Sequence, residues 1–551
     1  MSASLSSTAE SADHSSRRDF LARLLVGGAG LPLAACALAR RPVRPVASTD
    51  PTEDLIYMSA TKLAGLLRAR QVSALEAVEA FIKRHVEVND RINAVVTNSY
   101  ERARAEARAL DRRATRGDFA GPLHGVPITI KDSFDTAGVI STGGTVGRHQ
   151  YVPERDATVV ARVRQAGAIL LGKTNTMEFT LGPFVPMSGT GNWLHGVTRN
   201  PYDLLRSPDG SSGGAAAIVA AGGAAFDIGT DWAGSIRGPA SFNGIAGIKP
   251  TSGRVPRTGH IVGYGGIQDF WQQVGPLCRR VEDLALITPL IAGPDYLDAA
   301  CVPVPWRDPA AVDLGGLRVA FSIDPNSESE GNEMTRRAAG WLRERGATVQ
   351  EDVPWKLVGE LSAMRTKLAN GDGWAFYQRL GDKWGSHGLA PGGELRIKTR
   401  PAIPTREMVE AWEQHCHLRT RMLEWFQAYD VYLCSAGGPA PLIDSPRAAA
   451  AKTSNAKSAS TGKDGASTTK GKEGGAPPAA RTARRDDTGV PSRGAFNDTG
   501  WPAAVVRCGW SEDGRLPIGI QIVGHPWRED VCLAVASHLE SRSGGWKRPP
   551  I

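Results

Sequence analysis

Gly125-Val126-Pro127-Ile128-Thr129-Ile130-Lys131 and Ala168-Ile169-Leu170-Leu171-Gly172-Lys173-Thr174 open the reading, because both carry a short apolar run of strand type and the helical stretch 157–166 lies between them. Strand, helix, strand in that order predicts an α/β fold. Upstream, from Asp50 to about Ala109, the pattern is helical. Leu63, Leu66, Leu67, Ala74, Ala77, Val78, Phe81, Ile82 and Val86 recur at three- and four-residue steps, which predicts amphipathic helices with one apolar stripe. Downstream, residues 516–524 read as a buried strand and residues 531–539 as a closing helix.

The chain has 551 residues, 41% hydrophobic and 22% charged, enough for one large core of the globular kind. Its 63 glycines follow no collagen-like period and so point to turns and close backbone approaches. The net charge of +8 is concentrated at two places. Residues 1–45 hold six arginines against Glu10, Asp13 and Asp19, and residues 446–495 hold ten Lys and Arg against Asp464, Glu473, Asp486 and Asp487. These two segments together exceed the whole net charge, so the remaining body is close to neutral and nucleic-acid binding by it is not expected. Residues 446–495 are built from Ala, Lys, Ser, Thr, Gly and Pro, with Val490 as their one large apolar residue. That composition predicts a disordered basic insertion between two parts of one domain, 50–445 and 496–551, the second supplying only a closing strand and helix.

Residues 1–45 read as an address. Ser16-Arg17-Arg18-Asp19-Phe20-Leu21 followed by the apolar run 24–31 resembles a twin-arginine export signal. Leu33-Ala34-Ala35-Cys36 resembles a lipoprotein processing box, which would make Cys36 a lipid anchor; cleavage after Ala39 would give a soluble form. The expectation is a periplasmic protein that touches a membrane only through Cys36. The other six cysteines form no CxxC pair, and no metal or redox motif is seen.

Gly167-Ala168-Ile169-Leu170-Leu171-Gly172-Lys173-Thr174 satisfies the phosphate-loop pattern, but Ala-Ile-Leu-Leu in its middle would be a buried strand rather than a cradle of N–H groups. A serine nucleophile fits better. It needs a base, oxyanion donors and a route for its proton. Glycine–serine clusters occur at Ser211-Ser212 and Gly234-Ser235, without a G-x-S-x-G elbow, while His195 and His260 read as ordinary loop histidines. Lys131, after the apolar run 126–130, sits where a strand end would bury it. Desolvation there would yield a neutral amine that accepts a proton.

Seven blocks carry a resemblance. They are Gly125–Asp132, Gly172–Phe179, Asn200-Pro201, Gly210-Ser211-Ser212-Gly213-Gly214, Gly229-Thr230-Asp231-Trp232-Ala233-Gly234-Ser235-Ile236-Arg237, Gly247–Thr251 and Pro517–Gln521. Their order and spacing are similar to those of the amidase signature family. The resemblance implies a mixed central β-sheet sandwiched between α-helix layers in a single large domain. It implies an amide hydrolase with Ser235 as nucleophile, Ser211 as proton relay after a cis peptide bond, and Lys131 as general base. Trp232, Ala233 and Gly234, with the N–H of Ser235, would form the oxyanion hole, and no metal or nucleotide cofactor is implied. The implied partner is a small-molecule amide whose identity the sequence does not give. Three departures stand out: Asp209 and Ala233 where glycine is usual, and Gly238 for a branched apolar residue. Alternatives are a non-catalytic binding protein on the same fold, an esterase or acyl-transfer enzyme, and the glutaminase subunit of a tRNA-dependent amidotransferase.

Overall fold

The computed structural model describes residues 55–182, 189–263, 269–324, 329–443 and 493–551. The expected export address at 1–45, Cys36 included, lies outside the described residues, as does the basic insertion except for its last three residues.

Eleven strands form one mixed sheet. They are β1 (Val95–Asn98), β2 (Pro127–Lys131), β3 (Ile169–Thr174), β4 (Phe226–Asp231), β5 (Ala246–Lys249), β6 (Gln273–Cys278), β7 (Arg318–Phe321), β8 (Thr348–Glu351), β9 (Val431–Ser435), β10 (Ala503–Trp510) and β11 (Pro517–Gly524). Their order across the sheet is β1-β3-β2-β4-β6-β5-β10-β11-β9-β7-β8. β2 is parallel to both β3 and β4, and β4 meets β6 antiparallel.

Helices cover both faces. α1 (Ala60–Arg68), α2 (Ala74–Ile92) and α3 (Tyr100–Ala114) come first, and α4 (Thr158–Gln165) links β2 to β3. α2 starts where Ser73 and Glu76 cap each other reciprocally, satisfying two N–H groups that the helix cannot. Val86, which the apolar spacing puts on the buried stripe, is 69% exposed, and Val88 is buried in its place. α5 (Gly213–Ala220) packs on β4, and α6 (Arg237–Phe242) on β5 and β10. The remaining helices are α7 (Val281–Ile291), α8 (Glu330–Glu344), α9 (Trp355–Asn370), α10 (Ala375–Trp384), α11 (Pro391–Thr399), α12 (Thr405–Phe426), α13 (Ala495–Asp498) and α14 (Glu529–Ser543). Along β10, Ala504, Val506 and Cys508 enter one apolar core and Val505 another, so the sheet is buried on both faces.

Two boundaries differ from the sequence reading. The C-terminal part supplies two central strands, β10 and β11, rather than one, because Ala503–Trp510 continues as an antiparallel partner of both β5 and β11. The insertion also ends earlier than residue 495: Ala495 opens α13, and Arg493 is built into the fold. The phosphate-loop pattern falls on β3, all six residues of which are buried, and Lys173 donates to the Phe134 carbonyl and the Ser141 hydroxyl. Among the described residues, the six cysteines outside the address form no disulfide.

α5 enters the sheet so closely that a Cβ on Gly214 would lie 2.5 Å from the Asn175 nitrogen and 2.8 Å from the Ala94 carbonyl oxygen. Both obstacles are backbone, which cannot rotate away. Gly214→Ala is therefore expected to cost about 1–3 kcal/mol and lower the Tm; a thermal melt that matches wild type would contradict this packing.

Candidate active site

The site forms where β2 and β4 end. Lys131 is the last residue of β2, and Asp231 the last of its parallel neighbour β4. Side chains at the carboxyl ends of parallel strands share one edge of the sheet, where the following turns converge. Two turns converge there, Asp209–Ser212 before α5 and Trp232–Ile236 before α6. The Ser212 N–H donates to the Ser235 carbonyl at 3.3 Å, which joins them.

Lys131 is fully buried. Its Nζ lies 2.8 Å from Ser211 Oγ, 2.9 Å from Ser212 Oγ and 2.8 Å from Thr230 Oγ1. Burial pulls its pKa down to about 7, and Asp227 and Asp231 restore only part of the loss. Asp227 is itself pushed up by burial, although the Thr129 and Thr174 hydroxyls donate to it. Lys131 therefore lacks a full counter-charge, and the neutral amine is accessible near neutral pH.

A neutral amine has two N–H bonds and one lone pair, so among three hydroxyl neighbours one must donate to it. Ser212 has competing partners. Its single hydroxyl proton is held by the Thr230 carbonyl at 3.2 Å, and its oxygen accepts from the Thr230 N–H at 3.3 Å. Ser211, reached through a cis Gly210–Ser211 bond, can pass its proton to the amine. This favours Ser211 over Ser212 as the serine that donates to the amine.

Ser235 is half-buried and opens on a cavity of about 190 Å³. Trp232, Ala233, Met177 and Leu181 line it together with Trp374, Phe376, Tyr377 and Arg396, and Thr180, Ala369 and Asp372 make up the rest of the wall. That wall is anchored by Glu178, which accepts from Tyr377 Oη at 2.6 Å, from the Ala390 N–H at 2.7 Å and from Thr145 Oγ1 at 3.0 Å.

The turn carrying Ser235 is shaped by Asp231. Its carboxylate accepts the N–H groups of Gly234 at 2.8 Å and Ile236 at 3.1 Å. Burial alone would raise the Asp231 pKa, but Arg237, Lys249 and Asn497 hold it well below the usual carboxylate range. Gly234 takes the one left-handed conformation of this turn, φ 118°, so Ala233 carries no such strain. The expected oxyanion donors need one correction. The Gly234 N–H is committed to Asp231, whereas those of Trp232, Ala233 and Ser235 have no acceptor among the described residues.

Residues 76–533 match the family model described as Amidase. The chain belongs to this family, the amidase signature enzymes. A glutamyl-tRNA(Gln) amidotransferase component from Moorella thermoacetica is 35% identical over 526 residues, covering 90% of this chain and 99% of that protein. Among solved structures, 6-aminohexanoate cyclic dimer hydrolase complexed with substrate is similar at a TM-score of 0.73 and 27% identity, covering 90% of this chain and 99% of the other. Native peptide amidase from Stenotrophomonas maltophilia is similar at 0.69 and 26%, covering 90% and 98%.

For this amidase-family hydrolase, the structure brings Lys131 and Ser211 into contact, and Ser235 onto the adjoining turn. Neither His195 nor His260 hydrogen-bonds Ser211 or Ser235: His195 lies 3.3 Å from Thr142 Oγ1, and His260 is buried beside Phe134. Sequence reasoning missed Thr230, Asp231 and Arg237 as supports, although all three lie in the block 229–237. It also missed the aromatic wall, for which Trp374-Ala375-Phe376-Tyr377 was the available signal.

If Lys131 accepts the proton, kcat/KM should climb with pH to a limb near 7, where the amine loses its charge, and level off above it. Lys131→Met should cut kcat by about 10²–10⁴-fold. A limb near about 10, the range of a solvated lysine, or an unimpaired methionine variant would contradict the assignment.

Proposed function

We propose that the protein cleaves the C–N bond of a carboxylic amide through an acyl-enzyme on Ser235. The observation that carries this reading is the 2.8 Å contact between Ser211 and a fully buried Lys131 whose pKa is lowered to about 7. Ser235 Oγ attacks the amide carbon as its proton passes to Ser211, and the Ser211 proton passes to neutral Lys131. Negative charge developing on the carbonyl oxygen is met by the N–H groups of Trp232, Ala233 and Ser235. The C–N bond then breaks, and the departing amine takes a proton from Ser211, which Lys131 re-protonates. Water attacks the Ser235 ester by the same relay and releases the carboxylic acid, restoring the hydroxyl. Every proton is accounted for without a metal or nucleotide.

The cavity beside Ser235 supports a substrate with a bulky apolar part, since Trp232, Trp374 and Phe376 bound it. Trp232 faces the space next to the reacting serine and so limits what fits there. A second reading, the glutaminase subunit of an amidotransferase, is favoured by the 35% identity over most of the chain to a protein of that kind.

A fluorophosphonate serine probe should label the protein once, and Ser235→Ala should abolish both labelling and amide turnover. Labelling that survives in the alanine variant would refute the nucleophile. Across an amide panel that includes glutamine, apolar amides should be turned over fastest, and Trp232→Thr should shift relative rates towards bulkier substrates by about tenfold, the size of a pocket effect. Glutamine as the preferred source of ammonia would instead favour the amidotransferase reading.

A further inference from the structure

Arg493 directly follows the low-complexity segment, yet its side chain and carbonyl reach both serine-bearing turns. Its Nη1 lies 2.8 Å from Asp209 Oδ2, two residues before Ser211. Its carbonyl oxygen accepts from Arg237 Nη1 at 2.7 Å, and Arg237 grips Asp231, which shapes the turn of Ser235. Its stem crosses that turn, so a Cβ on Gly234 would lie 3.0 Å from Arg493 Cβ and 3.2 Å from its Nε.

The ion pair also occupies a space that Gly238 leaves open. A Cβ there would fall 1.9 Å from Arg493 Nη1 and 2.0 Å from Asp209 Oδ2. Asp209 is preset for this contact. Its backbone is left-handed at φ 62°, a conformation that Asp adopts more readily than most residues with a Cβ. Its Oδ1 accepts from the Gly210 N–H at 2.8 Å, and Oδ2 is the oxygen that lies against the guanidinium, as an ion pair rather than an aligned hydrogen bond.

We propose that Arg493 is a positioning residue: paired with Asp209, it braces the Ser211 and Ser235 turns against each other from the outside of the site. The inference rests on the proton relay proposed above. Inside the site the two turns are joined by the Ser212–Ser235 backbone bond of 3.3 Å, a long contact. The pair's side chains are 20% and 22% exposed, and its effect on the relay lies in geometry. Relay through Ser211 requires its hydroxyl to meet both Lys131 and Ser235, and small displacements of reacting groups are costly in rate.

Kinetics per probe-reactive site test the brace. Arg493→Ala and Asp209→Asn, the latter tolerating the left-handed backbone, should each lower kcat by about tenfold with KM within about twofold. The double variant should be no slower than either single one, and Arg493→Lys should recover part of the rate. Additive losses, an unchanged kcat, or a loss explained wholly by fewer probe-reactive molecules would overturn the brace. If wild type itself fails to label at Ser235, the relay reading has failed instead.

Discussion

A primary amine held in a fully buried position, with hydroxyls rather than carboxylates as its immediate partners, is the constraint on which the site depends. Lys131 is carried there by a strand whose five residues are all buried, so its ammonium form pays for lost hydration. The nearby charges compensate incompletely. Asp227 is itself driven towards its neutral form, and the Asp231 charge is shared among Arg237, Lys249, Asn497 and two turn N–H groups. The amine stays close to the point where it loses its proton, as a base working at neutral pH requires.

The rest of the architecture positions hydroxyls around that amine. Parallel strands β2 and β4 bring Lys131 and Thr230 side by side, and the close approach of α5 places Ser211 and Ser212 above them. Asp231 has a second task, since the same carboxylate that faces Arg237 folds the turn of Ser235 and so directs the remaining N–H groups of that turn. Glu178 does comparable work on the far wall of the cavity, holding α10 and the start of α11 against the signature core.

Much of this was legible in the chain. The apolar runs around residues 127–131 and 169–174 are strands because both faces of the sheet are covered, which turns a strand into a continuous apolar word. Lys131 was readable for the same reason, since a charged residue at the end of such a run marks the sheet edge, whereas the two glycine–serine turns were legible as clusters and through the family resemblance. β10 was missed because Ala503–Trp510 includes Arg507 and Gly509, which break the apolar run that identified β11. Arg507 is buried all the same, its guanidinium held by the Ser543 and Gly545 carbonyls. Arg493 was assigned to the insertion because composition averages over neighbours, whereas its role comes from single contacts to Asp209 and Arg237. The departures at 209 and 238 looked like separate irregularities in the sequence; in space they are two sides of one ion-pair pocket. Ala233 posed a question of backbone strain that only the dihedral angles could answer, and they assign the left-handed position to Gly234.

The protonation state of Lys131 can be observed directly. In protein labelled with ¹⁵N at lysine side chains, the Nζ resonance that disappears on replacing Lys131 should titrate with a midpoint near about 7, apart from the surface lysines. A resonance that remains charged up to about pH 10, together with theirs, would contradict the account at its base.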